Sequence, residues 1–302
     1  MDFSHWSVNL AALAAYLVVG VIHLLGVRDT VTRARRRGRS LPPELLARAV
    51  SFQAGLLLAL LAVVSPVGYW SYRFIWVRDQ QDQKLPMLAP ALIVLGAPWQ
   101  PLHRGLGGRG RDQAEGAAAD AGAADMTGTG TARPGWQVRP VLAAAVFCGS
   151  WWVWHLPGPF DAALHSSAIY AAEVVSYLAI GILLWLALLG TRPVAPLMAP
   201  MRTAGLVVAV AAATTVLGLT RAFSHAVAYP AYLGPSHRLL SLVSDQQVGG
   251  GILWVIPLIP FSILAIFLVF AWLRDEESAA TDADLDRLLR HKSAWPSRPS
   301  LR

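Results

Sequence analysis

The uncharged run from Val248 to Trp272 decides what class of fold this chain can adopt. A helix needs roughly 20 apolar residues to cross the hydrocarbon of a bilayer, and this run is long enough. Lipid offers no water to backbone N–H and C=O groups, so a run of this kind crosses as a helix that satisfies them internally. Comparable apolar stretches lie at Trp6 to Gly26, Ala49 to Val67, Arg139 to Leu156, Ala168 to Leu189 and Thr203 to Arg221. Leu85 to Pro98 begins a further span, interrupted by Pro86, Pro90, Pro98 and Pro101. Prolines are tolerated in such helices when neighbours satisfy the freed carbonyls. Composition agrees: 55% of the residues are hydrophobic and 14% charged, where a soluble chain carries about 25% charged residues. The expected fold is all-α, a polytopic membrane helix bundle of about seven transmembrane helices.

The arginines set the expected threading. Arg28, Arg33, Arg35, Arg36, Arg37 and Arg39 follow the first span, and most of the 25 Lys and Arg fall in alternate connections. Basic residues gather on the cytoplasmic side, which predicts the N-terminus out and the C-terminus in, a multi-pass protein of the plasma membrane. Asp2 stands where a cleavable signal would be basic, so the first span is expected to stay. The basic excess is thereby explained by topology, with no nucleic acid among the expected partners and the lipid bilayer as the first of them. Residues 1–102 are expected to hold helices 1–3, residues 103–138 a disordered cytoplasmic linker rich in Gly, Ala, Asp and Thr, residues 139–273 helices 4–7, and residues 274–302 a charged cytoplasmic tail with a short helix from Asp282 to Arg290. Gly68 to Lys84, with Arg73, Arg78, Asp79, Asp82 and Lys84, reads as a polar outer segment.

Under this threading the outer face collects His155, His165, Glu173, Arg221, His225, His237 and Asp245. Ionisable groups near hydrocarbon are costly and mark functional sites by default. Imidazoles suit copper, zinc or iron, and carboxylates can complete such a site, so His155, Asp245, His165, His225 and His237 are candidate metal ligands. The plainer alternative is that each histidine is an interfacial residue bonded to a loop, and no two of them share the i, i+4 spacing of a helix-borne ligand pair. Asp245, Gln246 and Gln247 precede Gly249, Gly250 and Gly251 at the mouth of the last span. Asp245 is placed to cap the following helix, and the glycines permit close backbone approach. Arg221 and Asp245 end consecutive spans and are expected to pair. Glu173 offers a proton or metal group, or a bond to a neighbouring helix. Trp151, Trp152 and Trp154 read as interface anchors, and His23 and Cys148 as structural. A single cysteine, Cys148, excludes an internal disulfide framework and a Cys-pair metal site. No phosphate-binding loop, nucleophile motif or paired-carboxylate catalyst is present, so the chain does not read as an enzyme. Two alternatives are a transporter or channel subunit using Glu173, Arg221 and Asp245, and a haem carrier. The second would need facing histidines, whereas His23 and His155 are expected on opposite sides of the membrane.

Several stretches together resemble the CtaG-type cytochrome c oxidase assembly factors. Asp245-Gln246-Gln247-Val248-Gly249-Gly250-Gly251-Ile252-Leu253-Trp254-Val255 is similar to that family's Asp-Gln-Gln-Leu-Gly-Gly-…-Trp-Val signature. Trp154-His155-Leu156-Pro157, followed by Phe160-Asp161-Ala162-Ala163-Leu164, resembles its His-Leu-Pro segment. Ala89-Pro90 through Leu95-Gly96-Ala97-Pro98 and Leu25-Gly26-Val27-Arg28 add support. The resemblance implies a non-catalytic membrane protein that matures the terminal oxidase of the respiratory chain by aiding copper delivery, with oxidase subunits or other assembly factors as partners. It also implies a His-Met-x-x-His-Met motif at the start of the third span, and here the chain departs: Arg78 and Asp82 occupy the two His positions. Arg is always protonated and cannot ligate, and a lone carboxylate suits cuprous copper poorly. His155, Asp245 and the outer-loop histidines remain as candidates.

Overall fold

The computed structural model describes residues 9–38, 40–41, 43–106, 139–190, 198–233 and 240–293, all helical or irregular and without strands. The expected linker, apart from its first few residues, and His237 lie outside the described residues. Helices α1 (Leu10–Arg36), α2 (Leu45–Val64), α9 (Ser167–Leu189), α10 (Pro200–Ala222) and α11 (Leu242–Ser293) are each long and apolar enough to cross a membrane. Two bent pairs bring the number to seven if each is one span. In the first, α4 (Ile75–Gln83), a π-turn (Lys84–Leu88) and α5 (Ala89–Leu95) meet α6 (Trp99–Gly105) at 77°. In the second, α7 (Pro140–Trp154) meets α8 (Pro157–His165) at 68°. A short α3 (Pro66–Ser71) lies between α2 and α4.

Local chemistry accounts for the breaks. Pro86 lacks the N–H that would bond Asp82, and Pro90 lacks the one that would bond Pro86, so the helix widens into the π-turn there. Ala97 takes φ 42° at the α5–α6 corner. Leu156 is extended before Pro157, as a residue preceding proline prefers, and this ends α7.

Small residues bring the helices together. A Cβ on Gly218 would lie 2.6 Å from the Trp254 backbone nitrogen, and one on Gly250 would lie 2.3 Å from that of Ala222. Those two glycines seat α10 antiparallel against α11, the closest type of helix contact available in a bilayer. Gly181 on α9 likewise accepts the Pro86 carbonyl, which would be 2.3 Å from an added Cβ. The core is built from Phe147, Trp151, Tyr177, Leu184, Leu253 and Phe261. In contrast, Leu17, Val18, Val21 and Leu24 of α1 are exposed, which costs nothing against lipid.

Four expectations are corrected. Residues 75–83, expected in a polar outer segment, form the first turns of the first bent pair, with Arg78, Asp79, Gln81, Asp82 and Gln83 all buried. α1 continues through Arg36, so Arg28, Arg33, Arg35 and Arg36 ride on a helix rather than a loop. α11 starts at Leu242 and takes in Asp245, Gln246 and Gln247, and it runs unbroken through the expected tail break to Ser293. Trp151 is no interface anchor: it is fully buried, its ring 5.9 Å from Phe147 and 5.0 Å from His155.

Candidate functional site

At one end of the bundle the starts of α4, α9 and α11 meet the ends of α7 and α10. Each element delivers an ionisable side chain there, and packing removes all of them from solvent. Arg78, Asp79 and Asp82 come from α4, His155 from the end of α7, Glu173 from α9, Arg221 from α10 and Asp245 from α11, and none is more than 5% exposed. Buried ions persist only where partners and hydrogen bonds replace water, so their pairing defines the site.

Arg221 donates through Nη1 and Nη2 to the two oxygens of Asp79, each at 2.8 Å, a bidentate fork. Arg78 donates to Glu173 and lies 3.6 Å from Asp82 Oδ1. Aromatic faces back both guanidinium groups: Tyr229 is 4.7 Å from Arg221 Cζ, and Phe160 is 5.1 Å from Arg78 Cζ. The expected Arg221–Asp245 pair is therefore corrected, because the arginine turns to Asp79. Asp245 instead accepts from the backbone N–H groups of Ile75 and Trp76 at 3.1 and 3.0 Å. It caps α4 from a distant helix, where a cap on its own helix was expected. The physical reason is that α4 begins here with orphan donors and no cap side chain of its own.

The two amides also have work of their own. Gln246 bridges Ala228 N–H and Ala226 C=O, and Gln247 donates to Ser224 C=O. Together they fasten the turn after α10. Among the three glycines, Gly249 is the one the charges require: a Cβ there would lie 2.0 Å from Asp79 Oδ2.

His155 faces the carboxylates. Its Nδ1 lies 2.7 Å from the Trp151 carbonyl; a carbonyl only accepts, so Nδ1 carries a proton, and in the neutral ring Nε2 presents its lone pair. Nε2 lies 3.9 Å from Asp79 Oδ1 and 3.9 Å from Asp82 Oδ2. The site is closed by Tyr229, which donates to the His155 carbonyl at 2.7 Å, and by Tyr232, which donates to the Ser71 carbonyl at 2.7 Å. Burial pushes both phenols above their usual range, so they serve as neutral donors.

Of the sequence-predicted metal candidates, His155 and Asp245 enter this cluster, with Asp245 engaged in capping. His165 and His225 are exposed outside it, and His165 Nδ1 lies 2.8 Å from the Asp161 carbonyl. Glu173 bonds a neighbouring helix, the plainer of the two roles expected for it. Glu173, Arg221 and Asp245 are each tied to a partner, so their placement lends no support to a transport path. Sequence reasoning missed Asp79 and set Asp82 aside. Their spacing held a usable signal: position 82 lies one helical turn from both 78 and 79.

The family described as cytochrome c oxidase caa3 assembly factor (Caa3_CtaG) matches residues 29–275. The chain belongs to that family. An uncharacterised protein of Mycobacterium leprae (strain TN) is 24% identical over 284 residues, covering 93% of this chain and 41% of its own length. Uncharacterised proteins of Mycobacterium bovis and Mycobacterium tuberculosis are each 24% identical over 268 residues, covering 88% of this chain and 39% of theirs. The chain thus spans about two fifths of the length of these curated relatives. No solved structure matches. The family match spans the entire charge cluster, from Arg78 to Asp245, and its residues are therefore part of what this member of the Caa3_CtaG family has built around its third span.

Proposed function

We propose that this chain assists the assembly of cytochrome c oxidase in the plasma membrane, acting at the outer face through protein contacts and with copper as the cargo it helps to deliver. The observation that carries the reading is the family match over most of the chain. A buried, organised polar cluster at one bundle end adds to it, because such groups are retained in membrane proteins at sites of function. In the proposed threading, N-terminus out and C-terminus in, that end faces away from the cytosol, and the exposed His165 and His225 flank it.

The donor set bears on the form of the cargo. Asp79, Asp82 and His155 offer oxygen and imidazole nitrogen, which suit cupric copper and other divalent ions. They do not fit cuprous copper, which takes sulfur donors. Nothing in the proposal requires catalysis: the chain positions groups and partners and makes or breaks no bond.

Deleting the gene and measuring terminal oxidase activity and membrane copper, with and without added copper, tests the reading. Oxidase activity is expected to fall when copper is limiting and to recover in part when copper is supplied. Full oxidase activity under copper limitation would overturn the assembly role.

A further inference from the structure

The geometry points to a buried divalent-cation site formed by Asp79, Asp82 and His155. One ligand atom from each of these residues lies within 4.8 Å of the other two, and all three side chains are at least 97% buried. Three features go beyond a mere cluster of acids.

The first is the state of the imidazole. With its Nδ1 proton committed to the Trp151 carbonyl at 2.7 Å, the ring turns an unprotonated Nε2 toward two carboxylate oxygens. His155 Nε2 and Asp82 Oδ2 both have no hydrogen-bond partner among the described residues. A lone pair facing two carboxylates in a dry site is repulsive on every side unless a positive charge lies between them. At 3.9 Å from each carboxylate oxygen a proton on Nε2 would complete a hydrogen bond to neither, whereas a metal ion suits all three atoms at once. The backbone carbonyl on the far ring nitrogen is also the usual way a metal-bound histidine is oriented.

The second is the charge balance. Among the described residues, the fully buried charged side chains are two guanidinium groups, Arg78 and Arg221, and four carboxylates, Asp79, Asp82, Glu173 and Asp245. Asp245 is spent on the N-terminus of α4, which leaves three carboxylates against two guanidinium groups, a net negative charge that favours a cation.

The third is support from outside the ligand set. Arg221 holds Asp79 by its two oxygens, Arg78 steadies Asp82 at 3.6 Å, and Gly249 leaves the space that Asp79 Oδ2 fills. The ligand atoms therefore come from α4 and the end of α7, and residues of α10 and α11 packed against them help to fix their separation. Metal bonds of about 2.0–2.2 Å put no two donors more than about 4.4 Å apart, so binding draws these atoms together from separations of up to 4.8 Å. Two carboxylates and one imidazole select a first-row divalent ion such as Zn(II) or Cu(II), which prefer such donors over the softer set that cuprous copper takes.

The test uses the full chain purified in detergent. Zn(II) is added, excess metal is removed, and bound metal is counted. One ion per chain is expected, with Asp82→Asn and His155→Gln each losing at least tenfold in affinity and His165→Gln and His225→Gln retaining it. Cu(II) added to the unaltered chain is then read by electron paramagnetic resonance, which needs no variant to fold. Coupling to a single imidazole nitrogen is expected. The inference is overturned by any of three results: no stoichiometric metal on the unaltered chain, binding that depends on His165 or His225, or a copper spectrum with no nitrogen or several. Because binding is read on the isolated protein, it stands or falls separately from the oxidase measurement.

Discussion

Arg221 spans from α10 to α4 and takes both oxygens of Asp79 at 2.8 Å, which makes the pair the main polar tie between those helices. Both side chains are almost wholly buried. Removing one partner of such a pair leaves the other charge uncompensated, at a cost of about 3–5 kcal/mol. Asp79→Asn is expected to lower the melting temperature in detergent steeply and to reduce abundance in the membrane. Arg221→Lys keeps the charge but cannot form the fork, and should fall between Asp79→Asn and the unaltered chain. Equal melting temperatures for all three proteins would show that the pair contributes nothing.

Much of the frame was legible in the sequence, and the reason is physical. Apolar runs report directly on lipid, so α2, α9 and α10 lie close to their expected bounds, and His155, Glu173, Arg221 and Asp245 gather at one end as expected. The start of the third span was not legible. Residues 75–83 carry Arg78, Asp79, Gln81, Asp82 and Gln83, a density of polar groups that hydropathy reads as an aqueous loop. In the folded chain these groups satisfy one another inside the bundle, and no measure taken along the chain records a partner at position 173 or 221. The role of Asp245 was misassigned for the same reason: its carboxylate suits any helix N-terminus, and three-dimensional packing selected α4.

Gly249 and Gly251 give a paired prediction. A methyl group at position 249 would lie 2.0 Å from Asp79 Oδ2, whereas at position 251 it would meet nothing within 4 Å. Gly249→Ala must displace Asp79 and with it the Arg221 fork; overpacking of this kind costs about 1–3 kcal/mol. Gly251→Ala should be neutral or slightly stabilising, since Ala is favoured over Gly within a helix by about 1 kcal/mol. Thermal melts of the two variants in one detergent check this, and a reversed order would show that the contact at Asp79 does not constrain the fold.

Asp245 accepts from two backbone donors that open α4, at 3.1 and 3.0 Å. Asp245→Ala leaves those N–H groups without the carboxylate, and a buried donor without a partner costs about 1–3 kcal/mol. Asp245→Asn keeps one acceptor oxygen and should retain part of the stability. Hydrogen exchange at the Ile75 and Trp76 amides reads the effect locally: faster exchange in the alanine variant is expected, and unchanged exchange would mean that other groups cap α4.

The proposed threading predicts which positions face which side of the membrane. His165 and His225 are exposed beside the charge cluster, and Ser278 is exposed far along α11 from it. The sole cysteine, Cys148, is replaced by serine, and single cysteines are then placed at positions 165, 225 and 278. A membrane-impermeant maleimide should label His165→Cys and His225→Cys in intact cells, and Ser278→Cys only after lysis. The arginines in the last turns of α1 and the run of helix between positions 242 and 293 lead to this outcome together, because the basic end of α1 and the far end of α11 must share the cytosolic side. Labelling of positions 165 and 225 from opposite sides would break the odd count of crossings, and with it the placement of Asp79, Asp82 and His155 at the outer face.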